Sequence, residues 1–194
     1  RYIDSEGNDL DKKTLPEGNI FDQENRARYE WLKHFFIYGN CICHPTIMIR
    51  KECYDQLGGY KNSFRQLPDL DMWIRLTKKY ELYVSKDEFV AFRILPGQNA
   101  SSPTRTNLIR HLNEFHTIRR SFFEGINDAD FKAGFQNYFV RKDASDLVSL
   151  SIEKALLYFY KHNLHSYSDQ IIGLERIQYL LENSNTRSVL SMQY

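Results

Sequence analysis

Cysteine is scarce in this chain, with three among 194 residues, and the number is odd. A disulfide framework needs paired cysteines and an oxidising compartment, so the composition points to a reducing one. Cys41, Cys43 and Cys53, with His44 beside them, raise a zinc site, because three cysteines and a histidine are a known ligand set. The usual two-to-four-residue gap between paired ligands is missing, however. Cys41 and Cys43 stand two apart in a strand-like run, which directs both inward as small hydrophobes.

Glycine and proline are also few, nine and five, which excludes collagen-like and low-complexity chains. Neither charge dominates: 26 Lys and Arg face 25 Asp and Glu, so no whole-chain field draws the protein to nucleic acid or anionic lipid. The longest strictly apolar run, Ala155 to Tyr160, is six residues, far short of the ~18 of a membrane span. No basic segment followed by an apolar one opens the chain, so a secretory signal is not expected and a soluble, cytoplasmic protein is. The first residue is Arg1, not Met, and a preceding segment is therefore expected.

What is present is apolar mass. Hydrophobic residues make up 42% and aromatics 14%, enough to bury a core and exclude disorder. The length suits one domain, or a smaller domain with an appendage.

Residues 1–20 are turn-rich and read as a short strand and a loop, with breaker clusters at residues 4–8 and 15–19. Tyr29, Leu32, Phe35 and Phe36 recur at helical spacing, which predicts a helix from Asp22 to near Gly39-Asn40. Cys41 to Arg50 alternates and predicts a buried strand. Lys51 to Leu57 predicts a short helix capped by Gly58 in a left-handed conformation. Asp69 to Lys79 predicts another, with Leu70, Trp73, Ile74 and Thr77 inward. Strand-like pieces follow at 82–84 and 89–92, then a break at 95–99. After Pro103 four amphipathic helices are expected, at 107–123, 130–140, 144–160 and 168–181. Strands and helices alternate up to about residue 102 and only helices follow, so the expected division is an α/β part, 1–102, and a helical part, 103–194. No helical repeat is visible.

The chemistry concentrates at Leu67-Pro68-Asp69-Leu70-Asp71-Met72-Trp73-Ile74-Arg75-Leu76. Pro68 forces Leu67 into an extended conformation, which places Asp69 as the helix N-cap. The first-turn amides and the positive end of the helix dipole keep such a carboxylate ionised, as a general base must be at neutral pH, although capping alone is the simpler role. Asp71 points about 200° away around the helix, so the two do not form a close acid–base pair. Trp73 lies on the apolar face, where packing competes with stacking on a ligand. His44 reads as a structural histidine at a strand start, and Arg93 as a solvated strand-end charge or half of an ion pair. His111, His116, His162 and His165 have no partner at ligand spacing and are assigned no role.

Several blocks together carry a resemblance: Tyr2-Ile3-Asp4 with Gly7; Asn40 followed by His44-Pro45-Thr46-Ile47-Met48-Ile49-Arg50; Leu57-Gly58-Gly59-Tyr60; Pro68 to Leu76; and Phe92-Arg93 followed by Asn99-Ala100-Ser101. This order resembles the C-terminal, acceptor-side half of family-two inverting glycosyltransferases, over roughly residues 1–102. The resemblance implies an α/β fold class: half of a GT-A domain, followed here by an all-helical subdomain. It implies transfer of a sugar from a nucleotide-sugar donor to a hydroxyl on a sugar or lipid-linked acceptor, in bacterial polysaccharide or glycolipid synthesis. Asp69 falls on the catalytic base. Asp71, Trp73, His44 and Arg93 fall on acceptor or donor contacts. The family holds Mg²⁺ or Mn²⁺ with an Asp-x-Asp motif that precedes the matched part, so a divalent metal is expected in the complete enzyme and no metal ligand is assigned in this chain. Two positions depart from the family pattern: Pro68 replaces a Glu or Gln, and Leu95 replaces a His. No nucleic-acid partner is expected, and the inner membrane face is a second location to consider. The competing reading is a non-catalytic helical interaction module on a degenerate glycosyltransferase scaffold.

Overall fold

A computed structural model describes residues 1–15, 20–95, 102, 104–160 and 166–194. Among these residues the chain is mostly helical, with one two-stranded parallel sheet. It divides into two compact units, one of residues 1–28 and 40–115 and the other of residues 29–39 and 116–194. No helix among the described residues is long and apolar enough to cross a membrane. The expected break at 96–99, the Asn99-Ala100-Ser101 block, His162 and His165 lie outside the described residues.

The first unit opens with β1 (Tyr2–Ile3), which pairs in parallel with β2 (Phe92–Arg93). A tight turn with Gly7 at φ 97° follows β1 and returns the chain to an isolated bridge between Ile3 and Asp9. The helix expected from Asp22 begins later, as α1 (Arg28–Tyr38), and ends at Gly39 with φ 80°. α1 belongs to the second unit apart from Arg28.

Cys41 to Arg50 does not form the expected strand. His44–Thr46 closes a single 3₁₀ turn in which the Thr46 N–H and hydroxyl both donate to the Cys43 carbonyl, at 3.0 and 2.7 Å. Pro45 fixes its own φ and offers no N–H, so the run cannot ladder with a neighbour. The expected alternation holds only at its end, where Met48 is 99% exposed between half-buried Ile47 and Ile49; Cys41, Ile42 and Cys43 are all buried and residues 44–46 all exposed. Residues 82–84 form no strand either. There the Asn25 side chain substitutes for a neighbouring peptide, accepting from Val84 N–H at 2.7 Å and donating to its carbonyl at 2.9 Å. Of residues 89–92, Phe92 alone enters a strand.

α2 (Lys51–Leu57) ends as expected at a glycine of positive φ, but Gly58 has ψ 167°, outside the left-handed helical well. α3 spans Pro68–Thr77, with Leu67 as N-cap and Pro68 at the first helical position. Asp69 is therefore the second helical residue and not the cap. Proline suits the first position because its missing N–H would have no helical partner there. Leu70, Trp73, Ile74 and Thr77 are buried, as the periodicity predicts.

α4 (Arg105–Arg120) gives residues up to Phe115 to the first unit and the remainder to the second. α5 (Asp128–Phe135), α6 (Leu147–Leu156) and α7 (Ser166–Glu182) occupy the other expected helical stretches. Asn127 and Asp146 cap α5 and α6 through their side-chain oxygens. A further helix, α8 (Ser184–Gln193), capped by Asn183, was not expected from the sequence.

The second unit packs around Phe36, whose ring lies 4.8–5.6 Å from the rings of Phe122, Phe123, Phe135 and Tyr158. Into this aromatic core α4 sends Arg119. Its guanidinium makes two 2.8 Å bonds to Asp169, a 2.7 Å bond to the Phe36 carbonyl, and sits 3.5 Å from the Phe36 ring centre. Arg119 and Asp169 are both 1% exposed. Tyr158 adds a 2.5 Å bond from its hydroxyl to the Arg119 carbonyl.

Removing one charge of a buried pair strands the other, at about 3–5 kcal/mol, while replacing both with apolar residues is far less damaging. Asp169→Asn is thus expected to lower the urea midpoint strongly, and Arg119→Met with Asp169→Leu to restore much of it, as followed by far-ultraviolet circular dichroism.

Candidate functional site

The site is built at the start of α3. Leu67 is not extended as expected before a proline but has φ −126° and ψ 30°, and the bend it closes, with Pro68, delivers Asp69 half-buried at the helix N-terminus. One oxygen, Oδ2, accepts from the Asn40 amide at 2.7 Å, and Oδ1 accepts from the Leu70 N–H at 2.8 Å. Asn40 is fixed in turn by the Ile42 N–H, which donates to its Oδ1 at 3.1 Å. Burial pushes the Asp69 carboxyl above the ordinary aspartate value, while the Leu70 N–H, Asn40 and the charge of His44 oppose that rise. The net direction is upward, which makes Asp69 a stronger base than a solvated aspartate.

Beside it stands an aromatic group. His44 is exposed, and its ring centre lies 5.0 Å from Tyr60 and 5.9 Å from Trp73. Tyr60 and Trp73 meet edge to face at 6.2 Å. Trp73 is wholly buried, and its indole nitrogen has no hydrogen-bond partner among the described residues. Burial and a hydrogen bond from its hydroxyl to Tyr54 push the Tyr60 phenol upward, so it stays protonated.

Asp69, His44 and Trp73 therefore come together, with Trp73 as the packed floor and not a ligand contact surface. Asp71 does not join them. Its buried carboxylate is held by Lys61 at 2.7 Å and by Arg75 at 2.8 Å, consistent with the opposite helical direction read from the sequence. Arg75 also donates to the Leu57 and Gly59 carbonyls, which ties α2 to α3. Arg93 donates to the carbonyls of Asp4 and Ser5 at 2.7 and 2.6 Å, and so braces the turn after β1.

The described residues include no group of three or more His, Cys, Asp or Glu able to hold a metal ion. Cys41, Cys43 and Cys53 are buried and unbridged. Burial pushes the Cys41 thiol up to about 12 and raises Cys43 as well, against the thiolate that zinc requires. The oxygens of Asp69 and Asp71 are engaged as described, so these residues do not fit the divalent metal that the resemblance implies.

Two residues of the site escape sequence reasoning. His111 on α4 is half-buried and within electrostatic reach of both Asp69 and Glu114, with burial holding its imidazole below the ordinary histidine value. Glu114, 8% exposed, accepts three 2.8 Å bonds from the N–H groups of Arg65, Gln66 and Leu67. The one available signal is the i, i+3 spacing of His111 and Glu114, which puts both on one helix face.

A carboxyl raised by burial destabilises the folded state at neutral pH. Below the ordinary aspartate value both states are protonated and the penalty is absent; it grows as pH rises through the raised folded value. Asp69→Asn is accordingly expected to melt a few degrees above the native chain at pH 7, with the gain vanishing near pH 3, by differential scanning calorimetry across that range. The sequence matches no protein-family model, no curated protein and no solved structure.

Proposed function

We propose that residues 1–102 form the acceptor side of a nucleotide-sugar-dependent inverting glycosyltransferase of GT-A type, with Asp69 as its general base. The observation that supports this most is the Asp69 carboxyl, half-buried, oriented by Asn40 and the Leu70 N–H, and raised in basicity by its surroundings. His44 and Tyr60 beside it offer aromatic faces of the kind on which the apolar side of a sugar ring packs.

In this reading Asp69 takes the proton of an acceptor hydroxyl, and the freed oxygen attacks the anomeric carbon of the donor sugar. The bond to the nucleoside diphosphate breaks as the new glycosidic bond forms, so one displacement inverts the anomeric centre. Asn40 keeps the carboxylate turned toward the incoming hydroxyl, and the aromatic floor excludes water from one side. The nucleotide sugar and the sugar or lipid-linked acceptor are the partners this chemistry requires.

A second reading, an interaction module, draws on the exposed aliphatic residues Leu108, Ile109 and Leu112 of α4 and Ile171 and Leu174 of α7. The two separate on one substitution. A positioned base contributes ~10²–10⁴-fold, so Asp69→Asn in the protein expressed from its complete gene is expected to lower sugar transfer by about that factor, with nucleotide-sugar affinity by calorimetry unchanged. Undiminished turnover removes Asp69 from the chemistry.

A further inference from the structure

Glu114 is a buried acid whose carboxylate accepts from three successive backbone amides. Its Oε1 accepts from Arg65 N–H and its Oε2 from Gln66 and Leu67 N–H, each at 2.8 Å. Three successive amides aimed at one ionised group form a strong local clamp, because each is a charge-assisted bond in a water-poor site. The clamped residues lead without interruption into α3. Leu67 is its N-cap, Pro68 follows with its φ locked, and Asp69 is next. Nothing flexible separates the clamp from the carboxyl it precedes.

The same face of α4 presents His111 three residues earlier, its ring stacked on Phe115 at 6.1 Å. The titratable groups facing Asp69 are thus His111 from α4, His44 and Cys43 from the turn at 43–46, and Tyr60 from the segment between α2 and α3.

We propose that Glu114 is the positioning residue of the candidate base, setting through the amides of residues 65–67 where α3 begins and hence where the Asp69 carboxyl points. This rests on the reading of Asp69 as the base, but its geometric part stands apart from that reading. Loss of the clamp frees the start of α3, admits water to Asp69 and spoils its aim.

The test follows the Asp69 carboxyl by ¹³C-detected titration in the native chain and in Glu114→Gln. The clamp predicts that the Asp69 midpoint falls toward the ordinary aspartate value in the variant while helical circular dichroism is kept. In a transfer assay the acidic limb of the kcat profile moves with it, and kcat drops ~10–10²-fold with donor KM little changed. An unaltered Asp69 midpoint in folded Glu114→Gln overturns the positioning role and leaves the base assignment standing. If that variant does not fold, Glu114→Asp, which keeps the charge and shortens the reach to the three amides, decides: the Asp69 midpoint is expected to fall in the same direction, and an unaltered midpoint overturns the positioning role. Full transfer by Asp69→Asn, with the Glu114→Gln shift present, overturns the base and spares the clamp.

Discussion

Backbone groups buried in irregular segments need partners, and in this chain side-chain charges supply several that turns and the short sheet do not. Glu114 takes the amides of residues 65–67, and Glu153, wholly buried, takes those of Val140 and Arg141 at 2.9 and 2.8 Å. Carbonyls are served in the same way by arginines: Arg75 at residues 57 and 59, Arg93 at residues 4 and 5, Arg119 at Phe36. Glu114, Glu153 and Arg119, the buried ones, thereby gain several hydrogen bonds in exchange for lost hydration, which is the condition under which a buried charge is tolerable. The tertiary order of both units therefore runs through a few long polar side chains that cross between secondary elements.

That dependence decides what could be read in advance. Helices were legible because 3.6-residue periodicity and capping residues are local, so α2, α3 and α4 to α7 fall near their expected stretches. α8 has only Val189, Leu190 and Met192 as apolar residues, and its Asn183 cap was the signal available. The strands failed for a different reason. Alternation is present at 47–50 and 82–84, but pairing is decided elsewhere, by Pro45 in one case and by Asn25, 59 residues away, in the other. Within the site, periodicity put Trp73 in the core and Pro68 marked the start of the helix that carries Asp69, but the grouping of both with His44, 25 residues before Asp69, rested on the resemblance alone. Glu114 was legible in neither way, since its partners lie 47 to 49 residues away and no local rule points to them.

Asp69 sits under opposing influences. A helix start and two donors favour its charge, while burial disfavours it, and burial prevails. A carboxylate left free in water is a weak base, and one fully satisfied by donors is weaker still. An intermediate environment that holds the group in place without quenching it is what proton transfer at neutral pH asks for. Asp71, two residues on, shows the contrasting outcome: two cationic partners, Lys61 from the segment after α2 and Arg75 from α3 itself, hold it as an anchor of that segment on α3.

The parallel pairing of β1 with β2 closes a loop of some ninety residues with two residues on each side. Closing so long a loop carries an entropy that grows only slowly with length, yet it must be met by two ladder bonds, from Phe92 to Arg1 and from Ile94 to Ile3, and by the grip of Arg93 on the following turn. The seam is therefore the first place for the chain to open without losing its helices, a local unfolding unit of low free energy beside cores of higher free energy. Amides at residues 92 and 94 would then exchange with solvent on a shorter timescale than those of α3, even though all three segments belong to one compact unit.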